Sequence, residues 1–168
     1  MQPNHADIAT SLALPEEDES LRAEVNALRF LVHAGTVLGR SLDLGTTLAR
    51  AAAAPVPALS DWCVVYLAGS DRRLERREGA AASRRGEVLM RDALTRRAIA
   101  PEADGAIARV ARTGLTEVVP HDPTAPAASI GSMDPALGTL GEALGAGTSL
   151  VLSLQAKGRS LGALVLTD

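Results

Sequence analysis

The residues able to cleave, transfer or ligate are few in this chain, and they stand apart from one another. Serine, histidine and aspartate all occur, but no serine sits in the Gly-x-Ser-x-Gly setting of a strained strand-to-helix nucleophile. Asp61 and Asp71 flank an apolar run at its two ends, where carboxylates cap and turn the chain rather than share a proton. Cys63 is the single cysteine in 168 residues, so one chain can form neither a disulfide nor a cysteine-based metal site. Beside Trp62 on an apolar strand it reads as a buried structural thiol, because redox sensing needs an exposed sulfur of low pKa. His5 falls in an N-terminal tail, His33 in mid-helix, and His121 directly after Pro120 at the start of a loop. Gly35 and Gly39 form a Gly-x-x-x-Gly without the lipid setting that motif needs, and phosphate-loop and dinucleotide fingerprints are absent. The residues read as non-enzymatic.

Composition excludes further classes. Only 2% of the chain is aromatic (Phe30, Trp62 and Tyr66), so stacking platforms for single-stranded nucleic acid are missing. The net charge is −3, and the arginines between Arg72 and Arg97 alternate with Glu75, Glu78, Glu87 and Asp92. That stretch reads as a solvated, salt-bridged face rather than a nucleic-acid patch. No apolar run approaches the roughly 20 residues that span a bilayer, and no basic segment leads a hydrophobic one at the start. The expected setting is a reducing cytoplasm, with neither nucleic acid nor membrane as partner.

The elements that must position these residues follow from periodicity. Residues 1–18, broken by Pro3 and Pro15 and carrying only acidic charges, are expected to form a disordered tail before a domain over 19–168. A first helix should run from about Glu19 to Arg40, with Leu21, Val25, Leu28, Val32 and Gly35 in a 4-3-4-3 rhythm. That stripe either lies on the domain core or pairs two copies of the chain. A homodimer through Leu21, Val25, Leu28 and Val32 is the expected partner arrangement.

Asp43 should cap a second helix over Leu44–Ala54, with Leu44, Leu48 and Ala51 or Ala52 on one side, ended by Pro55 and Pro57. Leu59–Ala68 suits a central strand and Arg73–Glu78 a charged edge strand. Arg84–Ala98 should be an amphipathic helix using Val88, Leu89, Ala93, Leu94 and Ala98. Asp104 would cap a short helix ending at Arg112. Leu115–Pro120 reads as a strand, His121–Ser132 as a covering loop, and Asp134-Pro135 as the start of a last helix ending near Gly145. Two apolar strands, Leu150–Gln155 and Leu161–Leu166, are joined by Lys157-Gly158-Arg159, where glycine can take positive φ. This order suits an α+β fold, an antiparallel sheet with helices packed on its faces.

Three stretches carry a resemblance. Leu38–Leu44 followed by Pro57–Val65, Arg112-Thr113-Gly114 before Glu117–Pro120, and Leu150–Leu166 with its Gly158–Leu164 core resemble the GAF domains of bacterial sensor kinases and PP2C-type phosphatases. The resemblance covers roughly Leu21 to Asp168 and implies a GAF/PAS-like fold whose closing C-terminal helix is not present in this sequence. Such a fold implies a cytoplasmic signal-transduction module that binds a small ligand or relays its dimer state to an output domain. A ligand-free homodimerisation module stays open as an alternative. So does the regulatory part of an enzyme, a phosphatase or histidine kinase of a two-component system, whose catalytic domain lies elsewhere.

In such domains the ligand sits between the sheet and the helices and loop over it. The resemblance therefore implies Tyr66, His121, Ser149 and Ser153 as ligand-facing residues, with the cofactor or ligand unknown. Methionine sulfoxide reduction by relatives uses several cysteines, which Cys63 alone does not provide. The loop motif that attaches bilins and the cyclic-nucleotide signature are both absent. His121 is the one residue placed like a haem ligand on a pocket rim, and a backbone-bonded loop histidine is its other reading.

Overall fold

Two runs of β-branched and leucine residues, one in the first half of the chain and one at its end, build a single antiparallel sheet around which the helices pack. The computed structural model describes residues 21, 22, 25, 43–95, 98–121, 134–145 and 147–168. The chain divides into Met1–Arg40 and Ser41–Asp168. In the first unit Leu21, Arg22 and Val25 are helical and exposed. The expected tail, the rest of the first helix with Leu28, Val32 and His33, and the loop from 122 to 132 lie outside the described residues.

In Ser41–Asp168 the described strands are β1 (Trp62–Ala68), β2 (Leu74–Ala81), β3 (Glu117–Pro120), β4 (Thr148–Ala156) and β5 (Arg159–Thr167). They form one sheet in the order β2-β1-β5-β4-β3, every neighbour antiparallel. The described helices are α1 (Leu44–Ala53), α2 (Arg84–Leu94), α3 (Ala106–Thr113) and α4 (Pro135–Leu144). The α+β architecture with helices on both faces is the one expected.

Strand alternation sorts the core into two layers. Trp62, Val64, Tyr66, Val151, Ala163 and Val165 face α2, α3 and α4, which contribute Met90, Ile107, Val110, Leu137 and Leu140. Cys63 and Val65 face α1 through Ala52 and Leu48. Each large aliphatic side chain sealed in the first layer stabilises by about 1.5–3 kcal/mol, which makes that layer the main source of cohesion.

Local chemistry explains the element ends. The Asp43 side chain accepts a 2.6 Å hydrogen bond from the Thr46 N–H and caps α1, as expected. Leu44, expected on the buried stripe, is 64% exposed in the first turn. β1 starts at Trp62 rather than Leu59, because residues 54–59 turn around Pro55 and the cis Val56–Pro57 bond.

α2 is capped by Ser83 and ends at Leu94, earlier than expected, since Ile99 bridges Leu74 at the sheet edge. Its buried stripe is Gly86, Met90 and Ala93, while Val88 is 55% exposed. Asp104 does not cap α3. Gly105 holds that position without a side-chain bond, and the Asp104 carbonyl instead accepts from the Arg109 guanidinium. In the hairpin, Lys157 (φ 50°) and Gly158 (φ 72°) make the turn.

Candidate functional site

Register places three of the four candidate residues on the sheet face beneath α2–α4. Tyr66 pairs with Ala163, which pairs with Ser153, so these three form one row across β1, β5 and β4. Trp62, Thr167, Ser149 and Val119 form a second row nearer the other end. Val64, Val165 and Val151 fill the row between. At about 3.3 Å per residue, Tyr66 and Ser149 lie roughly 13 Å apart along the strand direction. They share a face without sharing a contact row.

Tyr66 is fully buried, and its hydroxyl donates a 2.7 Å hydrogen bond to Asp134 Oδ2. Asp134 is itself 3% exposed. It stands just before α4, where its carbonyl accepts the Gly138 N–H. A residue expected to cap a helix thus also anchors the start of that helix to the sheet. Pro135 at the first helical position, which needs no hydrogen-bond partner for its nitrogen, favours this start.

Ser149 is buried, and its Oγ shares a 2.7 Å hydrogen bond with Thr167 Oγ1, which ties β4 to β5. Ser153 is half-buried and accepts a 3.3 Å bond from Gln155 Nε2. His121 is half-buried and continues the β3–β4 ladder, its N–H donating to the Gly147 carbonyl at 2.8 Å. Its Nδ1 is enclosed and has no hydrogen-bond partner among the described residues. His121 therefore neighbours the Ser149 row at the edge of the sheet, and Tyr66 neighbours Ser153.

Sequence reading missed Thr167, and it gave Asp134 as a helix start without its bond to Tyr66. Both are polar groups on an otherwise apolar face, and their strand or helix-start positions alone do not say what they meet. For Thr167 the signal was its place at the end of the last strand, opposite Ser149 once hairpin register is counted back from Gly158.

The polar groups on this face pair as hydroxyl with carboxylate and hydroxyl with hydroxyl. Neither pairing activates a nucleophile, since among the described residues Ser149 bonds Thr167 and no base. Among the described residues no three of His, Cys, Asp and Glu lie close enough to hold a metal ion. Cys63 is fully buried on the opposite face, and burial pushes its thiol up to about 12. Asp61 and Asp71 serve the backbone at the two ends of β1. The Asp61 carbonyl accepts the Ala82 N–H, and Asp71 Oδ1 accepts the Arg73 N–H. No helix among the described residues is long and apolar enough to cross a membrane.

The sequence matches no protein-family model and no curated protein. Solved structures do match the fold. The GAF domain of a phosphoenolpyruvate-protein phosphotransferase from Coxiella burnetii superposes with a TM-score of 0.63 at 16% identity, over 86% of this chain and 78% of that one. The corresponding Acinetobacter domain gives 0.59 at 12% identity, over 84% and 75%. Free methionine-R-sulfoxide reductase from Neisseria meningitidis gives 0.57 at 20% identity, over 82% and 70%. The fold therefore also occurs in an enzyme. Sheet order, helical layers and these superpositions agree: the fold of this chain is that of a GAF domain.

Proposed function

We propose that this chain is a non-catalytic sensory and regulatory module of a cytoplasmic signal-transduction protein, of the kind joined to a histidine kinase or PP2C-type phosphatase. The observation that carries the reading is the buried Tyr66–Asp134 hydrogen bond. It ties the sheet floor to the first residue before α4, directly after the stretch that leads out of His121. A small ligand offering its own donor or acceptor competes for this bond, and a buried polar pair that loses its partner costs far more than an exposed one. Ligand exchange at that point would move the start of α4 against the sheet. Such a shift is the signal an output domain would read. The buried, protonated Cys63 and the pairing of Ser149 with Thr167 support a binding role over catalysis.

The test is native mass spectrometry of the gently purified chain, joined to thermal-shift screening against nucleotides, haem and metabolites. A retained small molecule, or a thermal shift abolished by Tyr66→Phe, supports the reading. No retained mass and no shift across the screen would sink it.

A second reading, homodimerisation through the N-terminal helix, is favoured by one observation. Leu21 and Val25 are helical and remain 60% and 38% exposed. Sedimentation of the chain beside a Leu21→Glu/Val25→Glu variant tests it, and a wild-type monomer at high micromolar concentration would end it.

A further inference from the structure

At the end of the sheet remote from His121, a cavity of about 840 Å³ opens between the β1–β2 turn, α3 and the β4–β5 hairpin. None of Tyr66, His121, Ser149 and Ser153 lines it. Its volume falls in the range of small-molecule sites. Leu74, Leu161 and several alanines supply an apolar floor, and among the described residues no acidic or aromatic side chain lines the wall. Four cations do: Arg72, Arg112, Lys157 and Arg159.

These charges are not neutralised locally. Arg109, one helical turn from Arg112, forms a two-pronged bond to Glu117 through Nε at 2.9 Å and Nη2 at 2.5 Å. Arg72, Lys157 and Arg159 have no carboxylate partner among the described residues, and the chain as a whole is acidic at −3. Arg112 Nη1 donates to the carbonyls of Pro101 and Ala103, which holds its guanidinium at the cavity wall with other donors spare. A concave site lined by one sign of charge focuses field and concentrates counter-ions.

The backbone points the same way. Among the described residues the two non-glycines with positive φ are Arg72 at 63° and Lys157 at 50°. Side chains other than Gly, Asn and Asp rarely occupy that region, and such strain gathers at functional sites. Here both strained residues are cations, they sit on two different turns, and both reach one cavity.

We propose that this cavity binds a small phosphorylated molecule, its phosphate held by Arg72, Arg112, Lys157 and Arg159 and its body on Leu74 and Leu161. The four cations come from three sides rather than in one planar fork. That spread suits a tetrahedral phosphate better than a flat carboxylate, which a single arginine fork can satisfy. With no aromatic among the described wall residues to stack a base, an aliphatic or sugar body fits. The proposal does not rest on the ligand reading for Tyr66, which lies at the same end of the sheet, two residues from Ala68 of the cavity wall, but does not line the cavity and bonds Asp134 instead.

Amide NMR titration of the full chain with inorganic pyrophosphate tests it. Saturable shifts are expected at Gly69, Ser70, Gly158 and Ser160. Arg72→Gln/Arg159→Gln should weaken the dissociation constant by about tenfold or more, which is about 1.4 kcal/mol. Arg84→Gln/Arg85→Gln, at the exposed start of α2, should leave it within about twofold. If the first variant loses its dispersed spectrum, Lys157→Gln replaces it, with a weakening of about threefold or more expected. The proposal is overturned by absence of saturable shifts up to about 10 mM, or by equal losses in the two double variants, which means diffuse attraction only. Citrate binding as tightly as pyrophosphate would overturn the phosphate assignment.

Discussion

Tyr66 and Asp134 lie 68 residues apart in sequence and meet in the buried layer at 2.7 Å, hydroxyl to carboxylate. The contact joins the middle of the sheet to the start of α4, so it reports on the packing of that helix. Tyr66→Phe keeps the ring and removes the donor from a buried hydrogen bond to a carboxylate that is 3% exposed. A stability loss of about 1–3 kcal/mol in urea unfolding is expected. A loss below about 0.5 kcal/mol would show that the contact holds nothing together.

Gly162 faces the Tyr66 backbone at the β5–β1 seam. A Cβ there would collide with the Tyr66 carbonyl oxygen and lie 2.9 Å from its carbon, closer than real Cβ atoms come, with Leu67 Cα tight at 3.0 Å, and the backbone sits at φ 154°. The obstacles are main-chain atoms of the central strand, which cannot swing aside. Gly158 also has positive φ, at 72°, but a Cβ there meets nothing within 4 Å. Gly162→Ala should therefore cost more than about 2 kcal/mol, and Gly158→Ala about 1 kcal/mol from the left-handed conformation alone. Urea unfolding of the pair checks the order, and equal costs would refute the steric account.

The difference between these two glycines shows what can be read from a sequence and what cannot. Gly158 is legible because a turn between two alternating apolar runs is a local feature. The same holds for Asp43 ahead of α1 and Pro135 at the start of α4. Gly162 is not, because its reason is the opposite strand. Non-local pairing also explains one misread end: Ile99 leaves the helical pattern because it bridges Leu74. Tyr66 could be placed on a strand, but its partner Asp134 could not be inferred. Arg72 was legible only as part of a charged stretch, since Arg112, Lys157 and Arg159 reach its cavity from other elements.

Asp43 gives the chain an acid-sensitive helix start. The hydrogen bond from the Thr46 N–H holds its carboxyl below the ordinary 3.8. A carboxylate depressed in the folded state binds fewer protons there than when unfolded. Its stabilisation is thus present above the ordinary value and lost as pH falls through the folded one. Asp43→Asn keeps an acceptor without a titrating charge. Melting curves from about pH 6 to about pH 2 should show the wild type losing its margin over Asp43→Asn on acidification. A difference independent of pH would contradict the assignment.

Cys63 should behave oppositely with pH, and its reactivity separates a structural thiol from a redox one. Burial against Val65 and the α1 side of the sheet pushes it from the ordinary 9.0 up to about 12. The folded state therefore holds the proton that the unfolded state releases. The associated stability is fully present below about pH 9 and declines as pH rises through that window, by at most about 1.4 kcal/mol per pH unit for one group. Cys63→Ala should flatten this alkaline slope. At neutral pH iodoacetamide should label the thiol in urea and leave it unmodified in the folded chain, because only an accessible thiolate attacks. Labelling of the native chain at the unfolded rate would place the sulfur at the surface and reopen a catalytic role for it.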